Sequence, residues 1–115
     1  MRVELKGISA DEVDIHSYAP DDPECFFITL RLRIGPEGDN GGDDFEVFVC
    51  TPTWLQNNVW EPMWGRHFLI VKEFNYQLIV DAIIKAISQY EGVGWSEIAC
   101  KLARLYAWEF EDYQA

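Results

Sequence analysis

Apolar and polar residues alternate most clearly from Cys25 onward, where Ile28, Leu30, Leu32 and Ile34 fall on one side and Thr29, Arg31 and Arg33 on the other. A period of two sends successive side chains to opposite faces of an extended chain, so CFFITLRLRIG predicts a strand with one buried face. FEVFVCT repeats the pattern, with Phe45, Val47 and Val49 opposing Glu46 and Phe48. The Gly-rich stretch between the two segments predicts a hairpin with a long, mobile loop. Near the N-terminus Val3 and Leu5 alternate with Arg2, Glu4 and Lys6, which suits a short half-buried strand. RHFLIVKEF predicts a fourth strand, apolar on both faces and therefore central.

Elsewhere the period is helical. Asn75 is placed to cap a helix running to about Tyr90, with Phe74 and Ile79 as a hydrophobic staple and Ile79, Ala82, Ile83, Ala86, Ile87 and Tyr90 as the buried stripe. After EGVG, Ser96 is placed to cap a second helix carrying Ile98, Ala99, Leu102, Leu105 and Tyr106 at helical spacing. Thr51 and Pro52 read as the N-cap and first position of a brief helix through Leu55, stopped by Asn57 and Asn58. SADEVDIHSYAPDDPE, with six carboxylates and two prolines, reads as a surface connection, and NNVWEPMWG as irregular chain. The ending AWEFEDYQA fits either a helix end or an extended segment. The expected fold is α+β: an antiparallel sheet of about four strands with two C-terminal helices packed on one face, in one domain spanning residues 1–115.

Charge narrows the function classes. Twenty acidic residues against nine basic ones give a net charge of −11. Such a surface repels phosphate backbones and anionic lipids, so neither nucleic acid nor membrane is an expected partner, and it favours encounter with cationic surfaces. No stretch resembles the apolar core of a signal peptide, and none approaches a membrane-spanning length, so the chain reads as cytoplasmic. Cys25, Cys50 and Cys100 are odd in number and widely spaced, which argues against a disulfide framework.

The chemical motifs mostly fail. In GPEGDNGGDDFEVFVC the carboxylates of Glu37, Asp39, Asp43, Asp44 and Glu46 crowd the glycines, which disfavours a phosphate cradle. Counting from Asp39, an EF-hand would need Gly at position 6 and Glu at position 12, where Asp44 and Cys50 stand. His16 and His67 and the three cysteines show no local pairing for zinc. Cys50 and His67 would become neighbours if their strands pair, which keeps a small cysteine-dependent hydrolase as an alternative; a general acidic adaptor or ligand-binding module is another. Trp54, Trp60 and Trp64 are clustered in an irregular segment with Glu61, an arrangement that suits either core packing or an interface anchor.

Three segments carry a resemblance: IGPEGDNGGDDFEVFVCTPTWL, GRHFLIVKEFNYQLIVDAIIKAI and LARLYAWEFEDY. They resemble the immunity protein 8 family of bacterial polymorphic toxin systems, over a stretch running from VELKGI almost to the C-terminus. The resemblance implies a cytoplasmic antitoxin, not an enzyme and without cofactor, that binds and neutralises a cognate toxin domain. Toxins so paired are frequently nucleases with basic grooves, which carboxylates can occupy in place of phosphates. The candidate toxin-binding residues are therefore Glu37, Asp39, Asp43, Asp44 and Glu46 of the loop region, then Trp54, Trp60, Glu61 and Trp64, and finally Glu109, Glu111 and Asp112. The oligomeric state stays open.

Overall fold

The alternating segments form a β-ribbon around which the rest is built. In the computed structural model, which describes residues 1–111, the strands are β1 (Val3–Ser9), β2 (Phe27–Pro36) and β3 (Asp43–Cys50). Helix α1 (Pro52–Asn58), strand β4 (Phe68–Ile70), helices α2 (Tyr76–Ile87) and α3 (Trp95–Leu102), and strand β5 (Ala107–Trp108) follow in that order. β2 and β3 pair antiparallel from Phe27 opposite Cys50 to Ile34 opposite Asp43, and β1 adds antiparallel to the far side of β2. A bulge between Leu5 and Gly7 lets Leu5 and Ile8 both face the core, where a strict period of two would turn one outward.

The core lies between one face of this sheet and the two long helices. Leu30, Leu32, Ile34, Phe45, Val47 and Val49 meet Ile79, Ile83, Ile87, Ile98, Ala99 and Leu102 there, and each is at most 2% exposed. Burying each of the larger side chains contributes about 1.5–3 kcal/mol. Tyr106 packs into the same layer, and burial, reinforced by the neighbouring Tyr90, pushes its hydroxyl up to about 12. The expected α+β architecture, with the C-terminal helices on one face, is the one observed, in a sheet that is mixed and five-stranded.

The fourth strand departs most from expectation. It spans only Phe68–Ile70, lies beyond β3 at the end of the β1-β2-β3-β4 order, and runs parallel to β3. An irregular stretch leads into it, ending at a left-handed His67 (φ 67°). It is apolar on both faces for a local reason: Leu69 packs against the core, while Phe68 joins an aromatic cluster on the opposite face. β5 takes the remaining stretch of the same edge, pairing Trp108 with Phe45 and Ala107 with Glu46, so the C-terminal segment runs extended there.

The caps show where side-chain chemistry decided the local fold. Asn75 caps α2 by accepting the Leu78 N–H at 3.1 Å, as expected. Its neighbour Phe74 packs edge-to-face on Tyr18 and Phe26, and α2 ends at Ile87, three residues earlier than Tyr90. α3 starts one residue before the expected cap: Gly94 is the N-cap, Ser96 is inside the helix, and Glu97 reaches back to the Val93 N–H at 3.2 Å. That bond, followed by the contact with Lys101, holds the Glu97 carboxyl below its ordinary value. The connection between β1 and β2 is anchored by Ile15, only 4% exposed, so it is more than a surface excursion. The hairpin turn, residues 37–42, is also tied down: Glu37 N–H donates to the Arg2 carbonyl at 2.9 Å, and Lys6 Nζ donates to the Asp39 carbonyl. A Cβ on Gly35 would collide with the Gly41 carbonyl, so glycine is required where the turn folds back on itself.

Thr51 joins the ribbon to α1. It is fully buried, and its Oγ1 accepts both the Trp54 and the Phe26 N–H at 3.3 Å. Thr51→Val keeps the shape and strands both donors, so a loss of about 1–2 kcal/mol is expected, read as a lowered urea midpoint at unchanged slope. Thr51→Ser should retain most of that stability.

Candidate partner-binding site

The sheet face turned away from α2 and α3 carries side chains from the polar phase of the strands, yet three of these are phenylalanines. Phe48 faces Phe68 across the β3–β4 pairing with centroids 5.3 Å apart, and Phe27 lies 5.8 Å from Phe48. α1 lands on this base, with the Trp54 ring stacked 4.5 Å from Phe27. Trp54 is therefore half-buried and has a structural task as well as an outward surface.

α1 forms a ridge with a depression on either side. On the Trp54 side is a hollow of about 540 Å³, lined by Tyr18, Asp21, Asp22, Cys25, Phe27 and Trp54 among others. On the other is a mostly apolar trough of about 430 Å³, lined by Leu55, Val59, Met63, Phe68 and Ile70 together with Gln56 and Gly65. Around the trough the chain leaves unusual apolar surface in solvent: Trp60 is 85% exposed, Trp64 is 90% and Met63 is 51%. Tryptophan is ordinarily among the most buried residues on average, so two nearly bare indoles in one short segment are unusual.

The sequence-predicted carboxylates separate into groups with different duties. Asp43 Oδ2 accepts the indole N–H of Trp95 at 2.9 Å and of Trp108 at 3.0 Å, so it clasps α3 and β5 to β3. Asp44 pairs with Arg33 at 3.3 Å, and its N–H donates to Glu109 Oε1 at 2.8 Å. Glu46 lies 3.9 Å from Arg31, which also binds Asp11 at 3.0 Å. Glu111 pairs with Arg66 at 3.6 Å. Such exposed pairs contribute about 0–1 kcal/mol each, but they neutralise charge that a cationic partner would otherwise meet. Asp39 uses one oxygen on the Gly41 N–H at 2.9 Å; Glu37 and Glu61 are exposed. Asp112 lies outside the described residues.

These groups do not form one patch. Asp44, Glu46 and Glu109 line a shallow depression on the open face together with Arg31. Glu37 and Asp39 sit at the hairpin end of the ribbon, whereas Phe27 and Trp54 sit at the other end, seven register steps away. At the rise of an extended strand those seven steps, from Phe27 to Ile34, span about 23 Å, and Glu37 and Asp39 lie beyond them. The carboxylates that adjoin Trp54 are instead Asp21 and Asp22, which sequence reasoning left in a connection. The six carboxylates of that segment were the available signal; what stayed hidden was that Ile15 and Tyr18 fold it against the core. Burial, then the charge of Asp21, pushes the Tyr18 hydroxyl above its ordinary value.

A cysteine-dependent hydrolase finds no support in this geometry. β3 and β4 do pair, but Phe68 is opposite Phe48 and Ile70 opposite Cys50, leaving His67 three positions along the ladder from Cys50, about 10 Å away. Cys50 is fully buried, and burial pushes its thiol up, away from the reactive thiolate. His67 Nε2 is buried without a partner among the described residues. Among those residues no group of three or more His, Cys, Asp or Glu is placed to hold a metal ion, and no helix is long and apolar enough to cross a membrane.

The chain is thus an acidic α+β scaffold with two bare tryptophans next in sequence to residues lining an apolar trough. The model of the family described as immunity protein 8 matches residues 3–113, and the chain belongs to that family. The family places it among immunity proteins of polymorphic toxin systems. No curated protein and no solved structure matches the chain.

Proposed function

We propose that the chain is a cytoplasmic immunity protein, a single domain without catalytic activity, which neutralises a cognate toxin domain by binding it, and that the toxin is a nuclease with a basic groove. The family match over residues 3–113 carries the reading. The net charge of −11 supports a basic partner, because complementary potentials speed encounter and orient the two proteins. Carboxylates offered where phosphates would sit are the expected means of blocking a nuclease. Of the candidate residues, the Glu37, Asp39 and Glu61 carboxylates make no ion pair among the described residues, although Lys6 already sits on the Asp39 carbonyl, whereas Asp44, Glu46 and Glu111 would have to exchange an arginine of this chain for one of the toxin.

The test is co-expression with the C-terminal domain encoded by the reading frame immediately upstream. Growth should be restored, the two purified proteins should form a stoichiometric complex, and its association should slow as salt is raised. Failure to protect and to bind that domain would overturn the reading, as would turnover of a substrate by the purified chain.

A further inference from the structure

We propose that the α1 ridge and its two flanks form the toxin-docking face, with the exposed Trp60–Trp64 segment and the trough receiving an apolar side chain and Asp21 and Asp22 receiving an arginine or lysine beside it. This rests on the immunity-protein reading and deepens it by choosing a surface and the chemistry of its occupant.

Three observations converge on this place. The trough is bounded by Leu55, Val59, Met63, Phe68 and Ile70, and the chain neighbours of its lining residues Val59, Met63 and Gly65 include Trp60 at 85% and Trp64 at 90% exposure. Interface anchors are enriched in tryptophan seated near apolar pockets, and leaving two of them in water has no folding benefit that would explain their position. Across the ridge, Asp21 and Asp22 line the hollow under Trp54, and neither makes an ion pair with a Lys or Arg among the described residues. They differ in this from Asp44, Glu46 and Glu111, each already close to an arginine.

The occupant follows from charge and ring chemistry. Asp21 and Asp22 line the same hollow as Trp54, with one Asp22 oxygen accepting the Glu24 N–H at 2.9 Å and the rest open, a combination that fits a guanidinium, which bonds to carboxylate while its plane lies on an aromatic ring. Trp54 is held for this by its stack on Phe27, so little side-chain freedom is lost on binding. A partner with a basic surface supplies such arginines, and an apolar residue next to one reaches over the ridge into the trough. Anchoring and steering then reside on opposite sides of one short helix.

The experiment measures association and dissociation of the purified upstream-encoded C-terminal domain against the full chain and three variants. Trp60→Ala with Trp64→Ala should weaken binding about a hundredfold, chiefly through faster dissociation. Asp21→Lys with Asp22→Lys should slow association about tenfold and flatten its salt dependence. Glu37→Lys with Asp39→Lys, at the far end of the ribbon, should change affinity less than about threefold. All substituted positions are exposed, and circular dichroism checks each fold. Acrylamide quenching of the unsubstituted chain gives an independent readout: the domain should shield the exposed indoles.

Unchanged binding by the tryptophan variant, or a large loss confined to the hairpin variant, would overturn this surface while the immunity reading stands. Self-association of the free chain that the tryptophan variant abolishes would reassign the ridge to a second copy and also overturn it. No binding by the unsubstituted chain would remove the immunity reading, and this inference with it.

Discussion

Phe45→Ala is expected to lower the unfolding free energy by about 3–5 kcal/mol, the largest loss for any single side chain considered. Phe45 is fully buried, pairs with Leu32 across the ribbon and with Trp108 on β5, and lies 6.4 Å from the rings of both Tyr106 and Trp108. Truncation removes its transfer free energy and leaves a void that two elements with other attachments cannot readily close. Phe45→Leu should lose much less, because most of the volume remains. Urea unfolding followed by tryptophan fluorescence measures both; a loss below about 1 kcal/mol for the alanine variant would mean that Phe45 is not the keystone between β3 and β5.

Asp43→Leu is expected to cost about 3 kcal/mol, although Asp43 is only partly buried. Its single oxygen Oδ2 receives two indole N–H groups, at 2.9 Å and 3.0 Å, and hydrogen bonds to a charged acceptor contribute about 1.5–3 kcal/mol each. Asp43→Asn keeps an acceptor in place and loses the charge, so about half the penalty should remain. The Trp95 and Trp108 indole N–H resonances should move in both variants, more in the leucine one. If the stability is unchanged and only partner binding falls, Asp43 belongs to the interface and the clasp contributes little.

The ribbon was readable because a period of two with one buried face fixes both strand and register: a slip by one residue would expose Leu30, Leu32 and Ile34 together. Thr51 and Asn75 were readable as caps because their side chains act on N–H groups within three residues. The fourth strand was misplaced for the opposite reason. Hydrophobicity on both faces of RHFLIVKEF does not distinguish a central strand from a short edge strand: here Phe68 packs on Phe27 and Phe48, Leu69 on the core, and Ile70 is left 55% exposed. Ser96 misled because glycine in an extended conformation can cap without a side chain, and Gly94 does so.

For the candidate site, sequence separated the residues by composition, and the fold regroups them by duty. Asp43 stands beside Asp44 in the chain, yet one holds two tryptophans and the other an arginine. That division comes from strand alternation combined with partners 52 and 65 residues away, which no local motif encodes. Likewise the five tryptophans are chemically alike in the sequence. Trp95 and Trp108 are held by Asp43, Trp54 is stacked on Phe27, and only Trp60 and Trp64 stand clear.

That last pair has an evolutionary consequence. Substituting a residue 85% or 90% exposed leaves the folded core intact, so the segment carrying Trp60 and Trp64 can drift, lengthen or exchange its anchors at little thermodynamic risk. On the docking face proposed above, a lineage confronted with a changing adversary would thus revise what it recognises on one side of the molecule while the β-ribbon and its helices continue unaltered.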